Sequence, residues 1–207
     1  IAADVLKCDI SDIHYNKGNF FKMNDPDTAL DWSEIAQYSN QPDGLDIMGE
    51  FTPSAPTYPN GCHICEVEID TSTGKCYVQD YVAVEDVGTA LYPVLIEGQI
   101  LGGIVQGISQ ALGESLVYDE TGQLSTGSFM DYQMPIASDF PKFRIKTHPV
   151  KTKINPLGAK GVGESGTVGA LAATISAIQH ALVSVGADTI EMPATPHRIW
   201  QKLKHNA

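Results

Sequence analysis

The stretch Asn155–Gly169 reads Asn-Pro-Leu-Gly-Ala-Lys-Gly-Val-Gly-Glu-Ser-Gly-Thr-Val-Gly and runs straight into a helical pattern. A loop so rich in glycine lets a ligand come against the backbone, because no Cβ atoms stand in the way. The start of the helix that follows offers unpaired N–H groups suited to anionic oxygens. Glu164 is the one carboxylate of the stretch and sits at its tip. The pattern points to a catalytic base beside a phosphate-bearing or oxyanionic cofactor. The plain alternative is an acid that only stabilises the positive end of a helix.

The rest of the chain alternates between strand and helix signals. Residues 1–50 are polar and mixed, with a short helix expected at Ser33–Tyr38, capped by Asp31 or Ser33. Pro42-Asp43-Gly44 reads as a turn. Pro53, Pro56 and Pro59 make an extended connector into a hairpin, Cys62–Asp70 and Cys76–Val87, with Gly74 in its turn. Leu91–Leu116 switches to helical spacing, with Ile96, Ile100, Ile104, Ile108 and Leu112 recurring every fourth residue. Gly98, Gly102, Gly103 and Gly107 lie in the same stretch, and each costs an isolated helix about 1 kcal/mol against alanine. Either close helix packing or a ligand against the backbone accounts for them. A second hairpin is expected around Asp119–Gly122, and a strand over Phe143–Val150. A helix from Thr167 to Val185 carries Leu171, Ile175, Ile178 and Leu182 on one face and stops at Gly186. Thr195-Pro196 opens a last helix, with Lys202 and Lys204 near its end. Helices mixed with hairpins predict an α+β fold, helices packed on mainly antiparallel strands.

Composition narrows the function. The chain has 207 residues and 25 acids against 13 bases, a net charge of −12 that argues against nucleic acid as a partner. No apolar run reads as long enough to span a bilayer. The first residue is Ile1, and Ala2-Ala3-Asp4-Val5-Leu6 resembles the tail of a helix, so a piece of a longer protein is expected. Cys62-His63-Ile64-Cys65 lies in a strand, where residues three apart face opposite sides, and no second such pair exists. The four cysteines therefore read as strand residues in a reducing, cytoplasmic setting rather than as a metal or redox motif. The six histidines show no ligand spacing, and no protein metal ligand is assigned.

Other chemistries lack their context. Gly163-Glu164-Ser165-Gly166-Thr167 approximates a nucleophile elbow but lacks its last glycine and a strand leading in. Lys160-Gly161 reverses the order that a phosphate-binding loop needs. The near match to a dinucleotide fingerprint, Gly161 to Gly166, has no following strand with its acid. Glu85-Asp86 are adjacent on a strand and point to opposite faces, so they read as solvated or turn-capping acids.

Several segments in register resemble the molybdenum hydroxylases, the family of xanthine dehydrogenase, aldehyde oxidase and carbon monoxide dehydrogenase large subunits. They are Val84–Gly88 with Pro93, Glu97–Gly107, Thr126–Pro135, Lys160–Glu164 and Pro193–Pro196. The resemblance implies that residues 1–207 are a C-terminal fragment of the molybdopterin-binding subunit, with 1–50 a partial lead-in and 51–207 the second molybdopterin-binding domain. It implies Glu164 as the general base acting on a hydroxyl carried by molybdenum. Gln99 would hydrogen-bond near the metal end of the cofactor, and the Lys160, Gly161, Val162 and Gly163 backbone would line it. Molybdenum would be held by the pterin dithiolene. Ser165, where xanthine-type members usually carry proline, leans towards the cytosine dinucleotide form of molybdopterin. Iron–sulfur clusters and FAD would sit on other domains or subunits. The upstream half of the molybdenum subunit would be a required partner, so turnover by this chain alone is not expected. The implied reaction is hydroxylation of an aldehyde, N-heterocycle or related small substrate with water as oxygen source, or oxidation of CO. The competing reading is a non-catalytic cofactor-binding or assembly domain that has lost activity.

Overall fold

The computed structural model describes residues 1–39, 45–46 and 48–204. The expected turn at Pro42-Asp43-Gly44 lies outside them. The chain forms two compact units, Ile1–Thr52 and Pro53–Ala207.

The first unit opens with helix α1 (Ala2–Leu6). A three-stranded antiparallel sheet follows, in the order β1 (Ile13–Asn16), β2 (Asn19–Lys22), β3 (Asp25–Asp31). The sequence reading had no strands here, because these residues are mostly polar and only Leu30 in β3 is fully buried. Helix α2 (Trp32–Gln37) matches the expected short helix. Asp31 caps it through a reciprocal pair of bonds with Glu34, each 2.8 Å. Ala2, Leu6, Leu30 and Ile35 form this unit's small core.

The second unit is built on the long hairpin of β4 (Asn60–Ile69) and β5 (Cys76–Asp86), turned at Gly74 with φ +75°. Strand β6 (Arg144–Thr147) adds to the other side of β5 and runs parallel to it, an exception to the mainly antiparallel expectation. The expected second hairpin reduces to one bridge, Tyr118 with Leu124, around a turn that Asp119 holds. In β4, Cys62 faces out and Cys65 faces in, as the alternation required. In β5 the alternation changes phase. Asp80 pairs with Glu66 and Val78 with Val67, so Gln79 is an unpaired bulge residue. Beyond the bulge it is Tyr81, Ala83 and Glu85 that face inward.

Helices α3 (Pro93–Leu112) and α4 (Ser165–Ser184) pack on this sheet and on each other. Ile100, Ile104 and Ile108 of α3 join Tyr81 and Ala83 in the main core. The buried face of α4 is Gly166, Ala170, Thr174, Ile178 and Leu182, and the expected Leu171 and Ile175 only flank it. The shift has a cause. The first half of α4 lies so close to α3 that small residues occupy the contact, and hydrophobicity alone does not mark them. Gly103 and Gly107 of α3 and Gly166 of α4 are that contact. A Cβ at Gly166 would run into the Ile100 carbonyl and lie 3.0 Å from the Ile104 nitrogen. Gly98 and Gly102 instead face open space. Helix α4 is itself long and apolar enough, by length and composition, to cross a membrane, contrary to the sequence expectation. It packs on α3 and β4. Helix α5 (Pro196–Lys204) closes a second core with Ile178, Leu182, Ile190 and Ile199.

This contact makes a contrasting prediction. Gly166→Ala should cost about 1–3 kcal/mol by overpacking. Gly102→Ala, in open space on the same pair of helices, should gain about 0.5–1 kcal/mol from helix propensity. Equilibrium urea unfolding of the two variants reads both signs.

Candidate active-site cleft

Glu164 is the N-cap residue of α4, with φ −116° and ψ −4°. Its side chain makes no capping bond and no described group pairs with it. The carboxylate therefore keeps its lone pairs for something else, although it stands at the positive end of a 20-residue helix. It lines a cleft of about 680 Å³, with Gly161, Gly163, Ser165, Val168 and Gly169 on one side and Tyr58–Gly61, His63 and Glu85 on the other.

The loop before Glu164 alternates in direction. Lys160 turns inward and pairs with Asp86, Nζ to Oδ2 at 2.5 Å, while its N–H donates to the Val87 carbonyl. Val162 packs on the main core. Gly161 and Gly163 face the cleft with nothing within 4 Å of where a side chain would begin. Of the four loop residues assigned to the cofactor, two thus line the cleft through bare backbone, and two hold the loop from behind. Gln99 is exposed on α3 and does not line this cleft. It sits next to Ile100, whose carbonyl meets Gly166, and two turns before Gln106, which reaches Thr167 at 3.3 Å. It is therefore carried on the α3 edge that borders the start of α4.

Asp86 is the anchor of the loop. Its Oδ1 accepts from the N–H of Gly88 at 2.9 Å and of Val150 at 2.8 Å, and its Oδ2 takes Lys160. Burial disfavours the charged carboxylate, but the Lys160 bond and the two N–H bonds outweigh it and bring its pKa down to about 2. Gly88 makes the turn possible. It has φ +63°, and any Cβ there would strike the Gly158 carbonyl, which itself accepts from Thr89.

Glu85 overturns the reading of this acidic pair as solvated. It is 1 % exposed, and its Oε1 lies 2.6 Å from His63 Nε2. His63 Nδ1 in turn lies 2.7 Å from the hydroxyl of Tyr81, which is 0 % exposed. The imidazole fits because Gly169 of α4 has no side chain, where a Cβ would come within 2.6 Å of the ring. Sequence reasoning missed these three residues. Strict alternation carried on from Val78 puts Glu85 and Tyr81 on the outer face, and the bulge at Gln79 reverses that. Asp86 does cap its turn, as one of the two alternatives held.

Burial pushes the Cys65 thiol up to about 11 and, together with the charge of Cys65, the Cys76 thiol up to about 12. Both are inert at neutral pH, and all four described cysteines are free. No group of three or more His, Cys, Asp or Glu side chains that could hold a metal ion occurs among the described residues.

Bare glycine backbone, the uncapped N–H groups of a long helix and one unpaired carboxylate define an α+β module that can hold an anionic cofactor beside an acid–base group. The comparisons with known proteins say which kind. Residues 1–141 match the model of the molybdopterin cofactor-binding domain, and the chain belongs to that family. It is 34% identical to the carbon monoxide dehydrogenase large chain of Hydrogenophaga pseudoflava over 100% of this chain and 26% of that one. It is 36% identical to the nicotine 6-hydroxylase large subunit of Paenarthrobacter nicotinovorans over 99% of this chain and 26% of the relative. The crystal structure of quinoline 2-oxidoreductase from Pseudomonas putida 86 superposes with a TM-score of 0.85 at 35% identity, covering 98% of this chain and 27% of that chain. The chain thus spans about a quarter of the length of these relatives. The matched family model ends at residue 141, before the glycine loop, and the matches to whole relatives run through it.

Because Asp86 ionises more readily in the folded chain, its contribution is fully present above about pH 4 and lost as the pH falls through about 2. Asp86→Asn should lower stability by on the order of 2 kcal/mol at pH 7 and flatten the stability curve between pH 4 and 2. Denaturant unfolding across that range measures both.

Proposed function

We propose that this chain supplies one side of the active site of a molybdenum hydroxylase-type oxidoreductase, with Glu164 as its general base. The observation that carries the reading is a carboxylate without a partner, on the rim of a cleft whose nearest wall is bare glycine backbone. That wall and the first N–H groups of α4 fit the anionic, backbone-hugging end of a pterin cofactor. The cofactor, when bound, supplies the two-electron redox chemistry and the activation of water. The chain's own residues do the rest. Gly161 and Gly163 let the cofactor approach. Lys160 and Val162 hold the loop rigid from beneath, so that Glu164 meets its proton at a fixed place. The Glu164 carboxylate accepts a proton from the attacking oxygen and releases it to solvent, to which it is open. Gln99, which lies outside this cleft on the neighbouring edge of α3, would hydrogen-bond the part of the cofactor that extends past the start of α4.

The substrate is a small aldehyde, an N-heterocycle of the kind that the relatives' names nicotine and quinoline represent, or CO. The upstream part of the molybdenum subunit forms the opposite wall. Iron–sulfur and flavin subunits carry electrons away, and the cofactor is the cytosine dinucleotide form. The complex works in the cytoplasm.

Glu164→Gln in the full-length subunit, assembled with its partners, should leave molybdenum content unchanged and lower kcat by about 10²–10⁴. Dye-linked turnover beside metal analysis measures this, and near-normal turnover refutes the assignment.

A further inference from the structure

Tyr81, His63 and Glu85 form a buried chain that the Glu164 chemistry does not use. Burial, and the nearby charges of Cys65 and Glu85, push the Tyr81 phenol well above its ordinary value, so it stays protonated, and its hydroxyl hydrogen-bonds His63 Nδ1. Against a carboxylate, which only accepts, His63 Nε2 is the donor to Glu85 Oε1. The other carboxylate oxygen, Oε2, receives nothing from any described residue. It lies beside Gly61 at the cleft wall, where an added Cβ would stand 2.7 Å from it. Lys160, next to Gly161 of the facing wall, is already paired with Asp86. A buried carboxylate with an open oxygen is costly unless a donor meets it. No described residue supplies that donor, and Glu85 lines the cleft. The chain also ends at Tyr81, which is enclosed by the core, so it offers no exit for a proton and serves to hold Glu85 in place.

We propose that Glu85 is a fixed anionic acceptor, positioned by His63 and Tyr81, that anchors an N–H donor of a planar heterocycle bound in the Glu164 cleft. With Oε1 taken, it accepts one donor through Oε2 and repels a carbonyl or phosphate oxygen at that point. Two sources carry this chemistry, the heterocyclic part of the cofactor and an N–H-bearing substrate. The inference rests on reading the cleft as the cofactor cleft, but it uses different residues from the base assignment.

The test is Glu85→Gln in the full-length subunit within its assembled complex. The amide keeps the bond to His63 through its oxygen and turns a donor into the cleft. Three quantities are read: molybdenum and pterin content, the melting temperature, and the Kd for 2-pyridone and for N-methyl-2-pyridone by spectral titration. If the cofactor provides the donor, cofactor content falls at least tenfold in a complex that still melts cooperatively. If a substrate provides it, content is unchanged, the Kd of 2-pyridone rises at least tenfold, and that of its N-methyl analogue stays the same. Content and both Kd values within twofold of the parent overturn the proposal. Glu85→Met, which removes the charge while filling the space, guards against a defect peculiar to the amide. Should both variants fail to fold, the residue is structural and the proposal is likewise overturned. The base assignment is read by the turnover of Glu164→Gln and the anchor by the cofactor content and paired Kd values of Glu85→Gln, so a failed base assignment and a failed anchor give different results.

Discussion

Backbone meets backbone where α3 crosses the start of α4, and the position of Glu164 in the cleft follows from that contact. Gly103, Gly107 and Gly166 have no room for side chains, so the two helices sit at a separation that larger residues would not allow. With α4 pinned there, its first turn cannot drift, and the residue that opens it cannot either. From the other side the loop is fastened by Lys160 on Asp86. Glu164 is thus placed by two constraints in which its own side chain takes no part. An acid that held itself in position by hydrogen bonds would be a poorer base, because those bonds favour the charged form.

Glu85 and Asp86 divide the work of the opposite wall. They are consecutive on β5, both buried, and they point apart. Both Asp86 oxygens bond the protein, tying the end of the strand to Val150, Gly88 and Lys160. Glu85 spends half of its capacity on His63 and leaves the rest towards the cleft.

Much of the fold was legible in the sequence where burial is marked by large apolar residues. The isoleucine stripe of α3, the β4–β5 hairpin, the capped α2 and the Thr195-Pro196 helix start were all visible in local pattern. What was not legible depended on contacts between distant segments. The small sheet in the first unit has almost no apolar signal. The true face of α4 is marked by glycine and alanine, which a hydrophobic pattern undercounts. At the site, Glu164 and the glycines around it stood out because composition alone announces a bare loop. His63, Tyr81 and Glu85 did not, because three residues scattered over two strands meet only once register is known. Their one advance signal was a pair of glycines, Gly61 and Gly169, that make space for them.

The unpaired Gln79 in β5 decides which chemistry the wall presents. Were Gln79 paired with Glu66 in unbroken alternation, every later side chain of the strand would turn over and exchange the Tyr81, Ala83 and Glu85 set for Asp80, Val82 and Val84. The buried polar wall therefore depends on one residue standing outside the ladder, and not on the loop that carries Glu164.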